Sequence, residues 1–274
     1  MSKRSNMNKF LGCVVATTAM TLGFQFSSVV AANAQAGIFE VVHPDVKQGE
    51  IEIEILNGVS LNSIDDGEER SVHEFAIGYG LTDFWKVTAA VEVANPQGDD
   101  PLVEGFEFEN LLILFGGGHH HDEGESEVEE EHHDFTLGFF TALEVPKEGG
   151  ISEGAVEFGP VIETGIGSAE FVGNLFVEVP FADGEDAGLA YASQLIFPVS
   201  DGFGFGVENF GEFEGLFGDR GEDVHFAGPA FYWEAELDNG HVIEPRIAVL
   251  FGLNNDSPDA VLSFNLEYKI GQQE

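Results

Sequence analysis

The chain has 274 residues, with 50 Asp or Glu against 10 Lys or Arg, for a formal net charge of −40. That charge excludes nucleic acid as a partner, because phosphates demand Lys and Arg, and it suits cations or plain solubility equally. It does not mean disorder: 43% of residues are hydrophobic and 26 are Phe, far more than a solvated acidic chain carries.

The first residues read as a secretory signal. Lys3, Arg4 and Lys9 form a basic start, Phe10 to Phe24 is apolar, and Ala34-Gln35-Ala36 supplies a small-x-small cleavage site. The apolar run is too short for a membrane anchor. Removing residues 1–36 takes three bases and no acid, so the charge moves from −40 to −43. Cys13, the only cysteine, is removed as well, which excludes disulfides and thiolate metal sites from the mature chain. Residues 37–48 then read as a short periplasmic N-terminal segment.

From residue 49 to 270 no stretch has helical periodicity. Segments of about ten residues alternate apolar and polar, separated by Gly, Asp, Asn and Pro. Ile51, Ile53 and Ile55 oppose Glu50, Glu52 and Glu54, and Leu262, Phe264, Leu266 and Tyr268 oppose Ser263, Asn265, Glu267 and Lys269. A period of two puts these sets on opposite faces of a strand. Twelve such segments follow one another, near 49–60, 72–82, 85–95, 106–115, 134–146, 154–166, 170–181, 188–199, 203–215, 226–237, 241–252 and 259–270. Their connections alternate between tight turns, such as Ser200-Asp201-Gly202, and longer acidic loops. An even number of such strands with this rhythm describes a single antiparallel outer-membrane β-barrel, both termini in the periplasm, ending in a 271–274 tail. A secreted β-sandwich also alternates, but it would not keep the short-long rhythm through twelve strands. Trp and Tyr total six, so Phe must serve as the aromatic girdle.

The stretch HPDVKQGEIEIE (43–54), with His43, Pro44, Gly49, Glu50, Glu52 and Glu54, resembles the first strand of a group of Gram-negative outer-membrane proteins. These are described as transporters, or as related to the MetA-pathway-of-phenol-degradation family. HEFAIGYGLTDFWKVTAAVEVA (73–94) is similar to the hairpin that follows, and GFGFGVENFGEF (202–213) to a later strand. The resemblance implies fold and location in the outer membrane, and little chemistry.

Two features carry chemistry. GHHHDEGESEVEEEHHD (118–134) holds His119, His120, His121, His132 and His133 among acids, inserted where the group has a short turn between the fourth and fifth strands. By strand parity, residues 116–133 form a periplasmic loop. Imidazoles beside carboxylates suit Zn or Cu, though no fixed ligand spacing is present, and a solvated turn has the same composition. The second feature is the polar face of the strands. If apolar residues meet lipid, Glu50, Glu52, Glu54, Glu74, Glu92, Glu144, Glu157, Glu163, Glu208, Glu212, Glu214, Glu234, Glu236, Glu244 and Glu267 point inward, opposed by Lys86, Arg246 and Lys269. Such a lumen favours cations. No Gly-x-Ser-x-Gly, His-Glu-x-x-His or phosphate-loop motif is present, so the sequence reads as a non-enzyme. The expected partners are outer-membrane lipid, the barrel-assembly machinery and divalent cations. Two functions stay open: transport of cations or small solutes, and a structural or metal-buffering surface protein.

Overall fold

The computed structural model describes residues 38–61, 69–96, 100–116, 135–216 and 223–271. Residues 1–37, the whole histidine tract (118–134) and residues 272–274 are among those that lie outside them.

The alternating segments form strands β1 (Ile51–Ser60), β2 (Glu69–Thr82), β3 (Trp85–Pro96), β4 (Leu102–Phe115), β5 (Thr136–Pro146) and β6 (Ala155–Ile166). They continue as β7 (Ala169–Pro180), β8 (Gly188–Ser200), β9 (Phe203–Phe213), β10 (Val224–Trp233), a two-residue β11 (Ala235–Glu236), β12 (Val242–Gly252) and β13 (Ala260–Ile270). Sequence neighbours pair antiparallel from β1 through β10; β13 pairs with both β1 and β12, and β10 pairs with β12. Each of the twelve long strands therefore has two partners, and the sheet closes into the twelve-stranded barrel that the sequence predicts. Closure leaves no strand edge with unpaired N–H and C=O groups, the condition for crossing a bilayer with strands.

The period of two becomes two surfaces. Ile53, Phe75, Ile77, Phe106, Phe108, Leu175, Val207, Phe231, Phe251 and Phe264 are exposed on the outside. Their neighbours Glu52, Glu74, Glu107, Phe210, Ala230, Leu250 and Ser263 are buried inside. An apolar exterior over a partly polar interior inverts a soluble barrel and fits lipid outside. The aromatic pairs Phe115–Phe135, Phe203–Trp233 and Phe231–Trp233 sit at one rim, where Phe replaces the scarce Trp and Tyr.

That rim also carries the tight turns. β2–β3, β6–β7 and β8–β9 each reverse over two residues, and Gly167 (φ 64°) and Gly202 (φ 69°) take the left-handed conformation those reversals require. The opposite rim carries the longer connections. One parity expectation needs correction: Glu234 and Glu236 are exposed at the tight-turn rim, not inward. β10 ends at Trp233, and the short β11 ladder interrupts the alternation before it reaches them.

Residues 37–48 were expected as a periplasmic segment, but residues 38–46 run inside the barrel. Ile38, Phe39, Val41 and Val42 are buried there. The Phe39 ring meets Phe210 and Phe226 edge-on at 5.2 and 5.0 Å, while Ile38 packs with Leu56 and Val72. Each such side chain contributes roughly 1.5–3 kcal/mol on burial. Four apolar residues in five therefore prefer an interior whose wall is built from small inward residues, including Ala142, Ala190, Ala192, Ala230 and Ala248.

At the tight-turn rim the segment reverses into β1. Glu50 N–H donates to the Lys47 carbonyl (3.2 Å), Gly49 (φ 78°) donates its N–H to Gly80 O (2.8 Å), and Gly80 N–H donates to Glu50 O (3.0 Å). A Cβ on Gly80 would sit 2.0 Å from the Lys47 carbonyl oxygen, whereas one on Gly78 would meet nothing closer than 3.4 Å. Gly80→Ala should therefore lower stability by about 1–3 kcal/mol through overpacking, and Gly78→Ala by much less. Urea unfolding of both variants in detergent micelles checks this, and equal midpoints would mean that the segment does not press on β2.

Candidate functional site

The barrel interior divides into a carboxylate belt and a more mixed face. β2 through β7 carry acids that meet directly across the ladders: Glu74 opposite Glu92, Glu107 opposite Glu144, and Glu157 opposite Glu178. Like charges directly opposed on one face destabilise a sheet, so these pairs work against folding. Glu107 and Glu157 are buried with neither carboxylate oxygen hydrogen-bonded, and Glu74 has one such oxygen. A buried carboxylate needs a proton, a water or a cation in place of the bulk solvent it has lost.

The inward cations lie mostly across from this belt. Lys86 Nζ donates to Glu52 Oε2 at 2.5 Å. Lys269 Nζ lies 3.1 Å from both Glu244 and Glu267, and 3.2 Å from Asp45 on the N-terminal segment. Arg246 donates through Nε (2.6 Å) and Nη2 to the two oxygens of Glu208, and through Nη1 to Ser263 Oγ (2.6 Å) and the Phe39 carbonyl (3.2 Å). Tyr232 adds its hydroxyl to Glu208 at 2.7 Å. Planar, bidentate Arg–carboxylate pairing suits a buried site because both ions are then multiply satisfied.

The sequence-derived residues thus fall into two groups. Glu52, Glu208, Glu244, Glu267 and Arg246 lie inside and belong to ion pairs, whereas Glu74 and Glu92 face each other within the belt. The sequence reading omitted Glu107, Glu109 and Glu178. Their signal was present, since Glu107 and Glu109 alternate with Phe106, Phe108 and Asn110. His119, His120, His121, His132 and His133 lie outside the described residues. Their anchors, Phe115 and Phe135, stand 6.2 Å apart ring to ring at the tight-turn rim.

The N-terminal segment completes the interior by having its backbone bound. Asn174 accepts from Val42 N–H at 2.8 Å and donates to the Val42 carbonyl at 2.9 Å, as a neighbouring strand would. Asn265 donates to the Phe39 carbonyl at 3.0 Å, beside Arg246. His43 lies 3.7 Å from Glu163 through Nδ1 and 2.5 Å from the Gln194 amide through Nε2. Burial opposes a charge on His43, but the hydrogen bond and negative charge of Glu163 outweigh it and hold its pKa above the ordinary imidazole value. Burial would likewise raise Asp45, yet the Lys269 ammonium prevails and keeps it below the usual carboxylate range.

Arg246 therefore joins the segment to β9, β12 and β13. Arg246→Ala should destabilise the barrel by about 3–5 kcal/mol, because Glu208 is left as a buried charge without its counter-ion. Arg246→Met with Glu208→Leu, which removes both charges, should recover most of that loss. Thermal unfolding of the single and double variants measures the difference, and an Arg246→Ala protein as stable as wild type would contradict the assignment.

No family model matches the chain, and no curated protein sequence matches it. Solved structures do. An outer membrane channel from Pseudomonas putida F1 is 12% identical with a TM-score of 0.54, over 82% of this chain and 97% of that one. The KdgM porin, solved in complex with disordered oligogalacturonate, is 8% identical with a TM-score of 0.46, over 81% and 99%. The NanC porin is 8% identical with a TM-score of 0.46, over 80% and 100%. At these identities the likeness is one of fold. With its closed ladder and apolar exterior, this chain has the fold of an outer-membrane β-barrel.

Proposed function

We propose that this barrel is an outer-membrane channel for cations or small cationic solutes, occluded at rest by its own N-terminal segment. The carboxylate belt supports this reading. Opposed Glu pairs cost folding stability, and buried acids of this kind at membrane depth mark ion or substrate pathways more often than structural cores. A wall of carboxylates concentrates cations and repels anions. The solved neighbour from Pseudomonas putida F1 is itself an outer membrane channel. In this reading the tight-turn rim faces the periplasm, so the segment enters the lumen from that side. No step requires an enzyme.

The histidine tract supports a second reading, a metal-buffering surface protein that uses Zn or Cu at His119, His120, His121, His132 and His133. The two readings separate in planar bilayers. The channel reading predicts a cation-selective current that rises on deletion of residues 38–46, and a loss of selectivity in Glu107→Gln with Glu157→Gln. An anion-selective current would overturn the cation preference, and no current in the deletion variant would overturn the channel in favour of buffering.

A further inference from the structure

A third group of ligand-bearing side chains lies inside the barrel, away from the histidine tract. His43 sits on the N-terminal segment, Glu163 near the end of β6 and Glu170 near the start of β7, all inward-facing and half-buried. One ligand atom from each lies within 4.8 Å of the others. The ladder explains the convergence. Glu163 is opposite Val172, Glu170 is two residues before Val172, and Gln194 of β8 is opposite Val172 from the other side. The two carboxylates and the amide therefore surround one point of the wall, and His43 projects onto it from the lumen.

We propose that His43, Glu163 and Glu170 form a divalent transition-metal site, of the chemistry that Zn2+ prefers, fastening the N-terminal segment to the β6–β7 hairpin. One imidazole with two carboxylates is a ligand set Zn2+ accepts, with a fourth position left for water. Metal–ligand bonds of about 2.0–2.1 Å place tetrahedral ligand atoms about 3.3 Å apart. The 3.7 Å between His43 Nδ1 and Glu163 Oε2 needs only a small closure to reach that spacing. The ring is also held as metal sites hold their histidines. Nε2 faces the Gln194 amide nitrogen at 2.5 Å, which leaves Nδ1 directed at the carboxylates. Rotating that amide by 180° sets its oxygen against Nε2; Nε2 then carries the proton and Nδ1 presents its lone pair to the metal. Bound metal would cross-link two elements that no covalent bond joins, so its effect falls on the segment's residence in the lumen. The site itself does not rest on the transport reading; only its effect on current does.

The experiment uses the full-length barrel with His119, His120, His121, His132 and His133 changed to Ala, so that the tract contributes no binding. Calorimetric titration with Zn2+ at pH 7.5 should show one equivalent bound. His43→Ala and Glu163→Gln should each weaken binding at least tenfold, and Gln194→Ala by about tenfold, as loss of an outer partner does. Glu163→Gln keeps shape and hydrogen bonding, and circular dichroism verifies folding. Absence of binding, or equal affinity in His43→Ala and Glu163→Gln, overturns the site and leaves a plain His43–Glu163 ion pair. In bilayers, Zn2+ should reduce the current of the tract-free protein and not that of its His43→Ala variant. A metal-free current of either size bears on the transport reading alone.

Discussion

A peptide segment can occupy the interior of a membrane barrel only if the wall satisfies its backbone. Inside, water is scarce, and each unpaired N–H or C=O costs about as much as a lost hydrogen bond. Here the wall supplies the partners. Asn174 pairs both backbone groups of Val42, Arg246 and Asn265 share the Phe39 carbonyl, and Gly80 takes Gly49 at the rim. Arg246 is the most consequential of these groups, because its charge must itself be neutralised. Glu208 does so with both oxygens while Tyr232 and Ser263 complete the set. The small inward alanines follow from the same constraint, since bulkier residues would claim the space the segment fills.

Against this satisfied half stands an unsatisfied one. The belt from β2 to β7 brings acids face to face and leaves Glu107 and Glu157 without hydrogen-bond partners. Packing has no use for that arrangement, and hydrophobic replacements of equal size would make a more stable interior. The two features share one interior, because Asn174 of β7 and Glu163 of β6 hold the segment from the same strands that carry the belt. The proposed channel grows from that overlap, since a segment seated against the belt fills the space beside its carboxylates.

The barrel was legible in the sequence because lipid enforces the pattern. Each outward position must be apolar, so Phe264 and Leu266 alternate with Asn265 and Glu267, and a strand count follows directly. Inward acids such as Glu52, Glu74 and Glu208 could be named from parity for the same reason. Parity failed at Glu234 and Glu236, where β11 breaks the ladder, and no residue type marks that break. The segment was missed because IFEVVHP (38–44) has neither strand alternation nor helical period; its conformation is imposed by the wall. Two traces of it were nonetheless present. Polar Asn174 and Asn265 interrupt inward rows, and alanines line positions where a narrow barrel could hold larger side chains. His43 was read as part of a family-like stretch, and nothing local ties it to Glu163 and Glu170, more than a hundred residues away.

The central claim is that residues 38–46 lie in the lumen, and a cross-link tests it most directly. Cys13 is the only cysteine of the chain, so thiols at Val42→Cys and Asn174→Cys are the only ones beyond it. Asn174 Oδ1 accepts from the Val42 N–H at 2.8 Å, which brings the two positions within reach of a short bifunctional thiol reagent. Treating the folded double variant with a bismaleimide should join them, seen as a shift in gel mobility that neither single variant shows. Free reaction of both thiols with a bulky water-soluble maleimide, with no cross-link formed, would place the segment outside the barrel and contradict the account.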